Sequence, residues 1–200
     1  MSVRLLYLVR HGEYIHGSEP ELGVLTDLGR QQARRLAERL RGTKFTAIHH
    51  SPWERAAQTA EILAEPHRGV PLEPSELLQE CIPAVPDAQH LSAQQAEFLG
   101  EFPEEVLTDG AAQASKAISR FAGPALGGKE LLVTHGNLIN WFVSRALDAP
   151  DHAWLRMLDY NCALTVIAYW PDRTRLLAYN DVGHLPAHMR GTDYPAEVRI

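Results

Sequence analysis

The stretch Leu8-Val9-Arg10-His11-Gly12-Glu13 sets an arginine and a histidine directly after an apolar run, residues 3–9. Such a run reads as a buried strand, so Arg10 and His11 fall where the carboxyl edge of a sheet opens into a loop, the usual place for ligand chemistry in α/β proteins. The pairing suits phosphate. An arginine fork matches phosphoryl oxygens, and a neutral imidazole offers a lone pair that attacks phosphorus. Val133-Thr134-His135-Gly136-Asn137 repeats the theme, following a strand predicted over 131–134 and preceding a helix predicted over 138–147. Arg55 falls in the first turn of a helix predicted over 53–64, after a short strand over 47–50. A cation gains nothing from the helix dipole there, whereas helix amino ends attract anions. Two histidines and two arginines at such junctions converge on one side of a parallel sheet and form a pocket for a phosphoryl group.

The elements that must position these residues are legible as patterns. A helix over 27–40 starts at Thr26, a plausible N-cap, and carries Leu28, Ala33, Leu36, Ala37 and Leu40 on one face. Ser92 and Gln95 form a capping-box pattern ahead of a helix over 93–99, and a further helix is expected over 110–122. Two late β-rich runs, 163–170 and 175–179, are joined by Pro171-Asp172-Arg173-Thr174. Strands alternating with helices predict a three-layer α/β/α sandwich with a mostly parallel sheet and one antiparallel edge pair. No repeat, low-complexity tract or composition break divides the 200 residues, which are read as one domain, 1–200.

Composition limits the partners. A net charge of −6 without a basic block argues against nucleic acid, and no apolar stretch approaches the roughly 20 residues that span a bilayer. Arg4 and Arg10 flank a short apolar run without a small-residue cleavage site, which reads as a strand and not a signal peptide. Cys81 and Cys162 are expected to be reduced and buried, with a cytoplasmic setting as the default. His49, His50, His135 and His184 offer an alternative reading as a metal cluster, but no ligand spacing supports it, so neither metal nor cofactor is expected.

Five motifs in order resemble the histidine phosphatase, or phosphoglycerate mutase-like, superfamily. They are Arg10-His11-Gly12-Glu13, Leu25-Thr26-x-x-Gly29-x-x-Gln32-Ala33, Ser51-x-x-x-Arg55-Ala56-x-Gln58-Thr59, a Leu-x-x-Glu ending at Glu80, and Thr134-His135-Gly136. Trp154-Leu155-Arg156, the region 77–87 and Asn180-Asp181-Val182-Gly183-His184 look closest to the branch holding the mitochondrial serine/threonine phosphatase and small bacterial phosphatases. The resemblance implies a metal-independent phosphomonoester hydrolase with a covalent phosphohistidine at His11. Arg10, Gly12, Arg55 and His135 then form the phosphate site. Glu80 is the expected proton donor, with Glu76 as the competing choice, because the position after His135 that carries an Asp in one branch is Gly136 here. Glu13 and Ser51 are read as partners of the arginines, Tyr14 and His16 as a bulky rim beside His11, and Asn137 and His184 as further residues near the site.

The region after Glu80, about 81–109, is expected to act as a lid. No Lys or Arg lies between Arg68 and Lys116, whereas Glu97, Glu101, Glu104 and Glu105 do. Such a lid disfavours polyanionic substrates and with them a phosphoglycerate mutase or bisphosphatase, the first alternative. The second, a phospho-ligand-binding module without catalysis, is opposed by the complete residue set. The expected partner is a small phosphorylated metabolite or a phosphopeptide, and the apolar late strands leave a homodimer open.

Overall fold

The computed structural model describes residues 3–124 and 127–200. Its centre is a six-stranded sheet, composed of β1 (Arg4–Arg10), β4 (Ala47–His50), β5 (Leu72–Pro74), β6 (Gly128–Thr134), β7 (Leu164–Tyr169) and β8 (Thr174–Asp181) in the order β5-β4-β6-β1-β7-β8. The first four of that order run parallel, while β7 is antiparallel to both β1 and β8. A two-stranded ribbon, β2 (Tyr14–Ile15) and β3 (Val24–Leu25), stands apart.

Alternation along the strands assigns side chains to the two faces. Leu6 and Leu8 of β1 and Leu132 of β6 pack under Phe121 at the end of α4 (Glu104–Phe121) and under Leu138 and Phe142 of α5 (Gly136–Ala146). Val9, Leu131 and Val133 face Leu36 of α1 (Asp27–Leu40) and Ala60 and Leu63 of α2 (Glu54–Ala64). The result is the three-layer sandwich anticipated from the pattern, with helices on both faces of the sheet.

Thr26 caps α1 by accepting from the Gly29 amide at 2.9 Å. Ser92 and Gln95 close the capping box of α3 (Ala93–Gly100). The helix expected over 110–122 begins six residues earlier, at Glu104, where Pro103 precedes it and Glu104 and Glu105 lie in its first turn. Gly110 sits inside it because a Cβ there would lie 2.7 Å from the Ile82 carbonyl oxygen. Cys81 and Cys162 are both free and buried. Among the described residues no helix is long and apolar enough to cross a membrane.

Candidate active site

The carboxyl ends of β4, β6 and β1 are neighbours in the sheet, so Ser51, His135 and His11 leave it side by side. The turn after His11 is tight: a Cβ on Gly12 would meet the Gly29 oxygen at 2.7 Å, and one on Gly29 would meet the Glu13 oxygen at 2.0 Å. Paired glycines therefore let the first turn of α1 press against the loop carrying His11. The Gly12 amide donates to Thr59 Oγ1 of α2 at 3.0 Å, and Asn161 Nδ2 donates to the His11 carbonyl at 3.0 Å, fixing the same loop from two sides.

Hydrogen bonds define the tautomer of His11. Arginine has no acceptor, so the Arg55 Nε–H donating to His11 Nε2 at 3.0 Å requires a lone pair on that nitrogen. The proton then resides on Nδ1, which donates to the Gly12 carbonyl at 2.9 Å. Burial, reinforced by the positive charges of Arg10 and Arg55, holds the ring's pKa well below the usual histidine value. His11 is thus neutral, with an unprotonated Nε2 whose lone pair is held by Arg55.

His135 has the complementary arrangement. Its Nδ1 faces Arg55 Nη2 at 3.3 Å and must be the acceptor, so Nε2–H donates to Ser51 Oγ at 2.9 Å. Burial, then the proximity of His11 and the positive charges of Arg55 and Arg10, hold its pKa well below the usual histidine value, so the ring is neutral. Ser51, expected beside an arginine, is therefore the partner of a histidine. The two rings, with centroids 5.1 Å apart, sit side by side along the Nε/Nη2 edge of the Arg55 guanidinium.

Arg55 is buried between Tyr14 and Trp53, whose ring centroids lie 4.5 and 4.7 Å from its guanidinium carbon, and it donates to the Pro20 carbonyl at 2.6 Å. Tyr14 also meets His11 edge-on at 5.0 Å, and exposed His16 leans on Tyr14 at 4.7 Å, so both form the rim as anticipated. Beside them Tyr14, His16, Glu19, Pro20 and Arg55 line a cavity of about 380 Å³. Arg10 is held differently: Nη1 donates to the Asp159 carbonyl at 2.6 Å, and Nη2 pairs with Asp193 at 2.7 Å.

Glu80 lies within the field of both arginines, and its carboxyl receives the backbone N–H groups of Cys81 and of Asn137 at the start of α5. These contacts and cations favour ionisation, yet burial outweighs them and raises the carboxyl pKa to about 7. Asn137 therefore serves through its main chain. Glu76 is exposed and bonded to Gln79, away from the histidines.

Two further expectations, besides that for Ser51, are corrected. Glu13 does not support an arginine, because its carboxylate is taken by the hydroxyls of Thr26, at 2.9 Å, and Thr192. His184 lies outside the site beside Arg39 and Asp181, where Val182 and Leu185 bury the turn that carries it. The tail does reach the site, but through Thr192, Asp193 and Tyr194. Neither these nor Trp53, Asp159 and Asn161 were anticipated. Only Thr59, within the Ser51-to-Thr59 motif, had a sequence signal. The metal-cluster alternative does not assemble: His49 is buried near Glu73 and Glu130 and packs on Phe121, while His184 is beside Arg39.

A sheet edge carrying two neutral histidines, two arginines and a carboxyl near neutrality defines a phosphoryl-transfer class of site. The profile of the histidine phosphatase superfamily, branch 1, matches residues 6–182, and the chain belongs to that family. It is 34% identical over 193 residues to the mitochondrial serine/threonine-protein phosphatase Pgam5 of Caenorhabditis briggsae, with 91% of this chain and 64% of the relative covered. The human mitochondrial serine/threonine-protein phosphatase PGAM5 is 31% identical over 191 residues, with 92% of this chain and 65% of the relative covered. The chain thus spans about 64% of the length of the first of these relatives. Among solved structures, YhfR of Bacillus stearothermophilus superposes with a TM-score of 0.70 at 26% identity, covering 90% of this chain and 98% of that one.

Proposed function

We propose that the protein hydrolyses phosphomonoesters by a two-step transfer through His11, without a metal ion. The observation that carries this reading is the tautomer of His11, whose attacking nitrogen is unprotonated and aligned with Arg55. When a phosphoryl group enters, Arg55 turns its Nε–H from His11 to a phosphoryl oxygen and releases the lone pair. Nε2 then bonds to phosphorus as the ester P–O bond breaks, and Glu80 delivers its proton to the departing oxygen. In the second step ionised Glu80 takes a proton from water, whose oxygen displaces His11 and regenerates the neutral ring. His135 accepts at Nδ1 from Arg55; the incoming dianion favours a proton there, turning the ring into a donor that stabilises the transferring group.

The acidic segment at 81–109, the aromatic rim of Tyr14 and Trp53, and the similarity to serine/threonine-protein phosphatases support a monoester with a weakly charged or apolar leaving group, either a phosphopeptide or a small metabolite. A panel of phosphopeptides, sugar phosphates and bisphosphates, assayed with and without EDTA, tests it. Hydrolysis of monoesters untouched by EDTA is expected. Phosphoglycerate interconversion as fast as hydrolysis of any ester would instead establish the mutase reading.

A further inference from the structure

Asp159 precedes β7 on a segment pinned on several sides. Asn140 Nδ2 donates to the Met157 carbonyl at 3.0 Å, the Tyr179 hydroxyl to the Leu158 carbonyl at 2.8 Å, and the Tyr160 amide to Asn180 Oδ1 at 2.8 Å. This backbone leaves the Asp159 side chain nowhere to go but inward. The residue is 2% exposed, and neither carboxyl oxygen has a hydrogen-bond partner. Its own main-chain oxygen holds Arg10 Nη1 at 2.6 Å, yet the guanidinium forms its ion pair with Asp193 at the rim instead of with this nearer-buried acid.

A carboxylate buried beside an arginine but not paired with it is costly. We propose that Asp159 is a positioning residue for the phosphate clamp: its carbonyl orients Arg10, and its carboxyl, kept neutral, adds no second internal anion beside Asp193 to compete with phosphate for the guanidinium. The groups facing it are Arg10 from β1, Glu80 from the loop before the lid, Asp193 and Tyr194 from the tail, and Tyr179 from β8. Burial, aided by the negative charges of Glu80 and Asp193 and opposed by Arg10, raises the Asp159 carboxyl to about 8. With Glu80 and Asp159 both protonated, Arg10 and Arg55 exceed Asp193 by one positive charge. Ionisation of Asp159 cancels that excess and supplies an internal anion that competes with the substrate for Arg10.

The folded protein retains this proton whereas the unfolded chain loses it near pH 4, so stability declines as pH rises from there through about 8. The inference rests on the phosphoryl-site reading but is tested without turnover, by calorimetric titration of inorganic phosphate into the wild type and Asp159→Asn. At about pH 6.5 the two should bind phosphate within about twofold of one another; at about pH 9 the Asn variant should bind about tenfold more tightly. Asp159→Asn should also melt at a higher temperature than the wild type near pH 7 and at about the same temperature near pH 4. An affinity ratio independent of pH, or a lower melting temperature near pH 7, would overturn the proposal alone. Failure of the wild type to bind phosphate at the lower pH would overturn it together with the phosphoryl site.

Discussion

At the scale of single residues, the site divides its labour by protonation. His11 is neutral because burial and two arginines expel its proton, whereas Glu80 keeps one because burial outweighs the same arginines. The raised carboxyl, at about 7, predicts a descending limb of kcat/KM near that pH for alkyl phosphates, since the acid form disappears as pH rises through it. Glu80→Gln should remove the limb and lower kcat/KM for alkyl esters, which reports the phosphorylation step alone, by about 10²–10⁴-fold, with far less effect on kcat/KM for nitrophenyl phosphate, whose leaving group needs little protonation. An equal fall in kcat/KM for both substrates would contradict the role of Glu80 as proton donor. Ser51→Ala should leave the His135 Nε2–H without an acceptor and cost about 1–3 kcal/mol in a denaturant titration. Unchanged stability would mean that another group satisfies that nitrogen.

Among the elements, the sharpest requirement is the glycine contact that seats α1 against the His11 loop. Gly29→Ala would place a methyl 2.0 Å from the Glu13 carbonyl oxygen and must displace backbone, so both stability and turnover should fall. Alanine ordinarily favours a helix by about 1 kcal/mol over glycine, so a stabilised variant with full activity would contradict the packing described. The elements legible from sequence were those whose local signals agree with their burial. Helix α1 combines a Thr26 cap with apolar spacing, and β1 and β6 are apolar because both faces are covered. Gly110 misled in α4, because it answers to the Ile82 backbone and not to the helix's own end. Edge strand β5 is three exposed residues closing on Pro74, with no alternation to detect. His11, Arg10, Arg55 and His135 stood out because strand ends bring chemistry together in order. Asp159 and Asp193 did not, since a pinned loop and a tail contact leave no periodic trace in the chain.

Across the whole molecule, the net charge is −6 and the stretch between Arg68 and Lys116 carries no Lys or Arg, so a polyanionic substrate approaches a protein of like charge. Each extra substrate charge then costs binding, and salt relieves that cost over a Debye length of about 10 Å at ~0.1 M. Neutralising Glu97, Glu101, Glu104 and Glu105 together should improve bisphosphate turnover at low salt and leave a singly phosphorylated, otherwise uncharged ester little changed. No change for bisphosphates would show that the segment folds away from approaching substrate.

The central claim is the covalent role of His11, and the most direct measurement is mass spectrometry of peptides from enzyme quenched in base during turnover with EDTA present. The account predicts a phosphoryl group on the His11 peptide, lost on acid treatment and absent from His11→Ala, which should also be inactive while remaining folded. An unmodified His11 peptide from an enzyme whose activity vanishes in EDTA and returns with a divalent ion would contradict it.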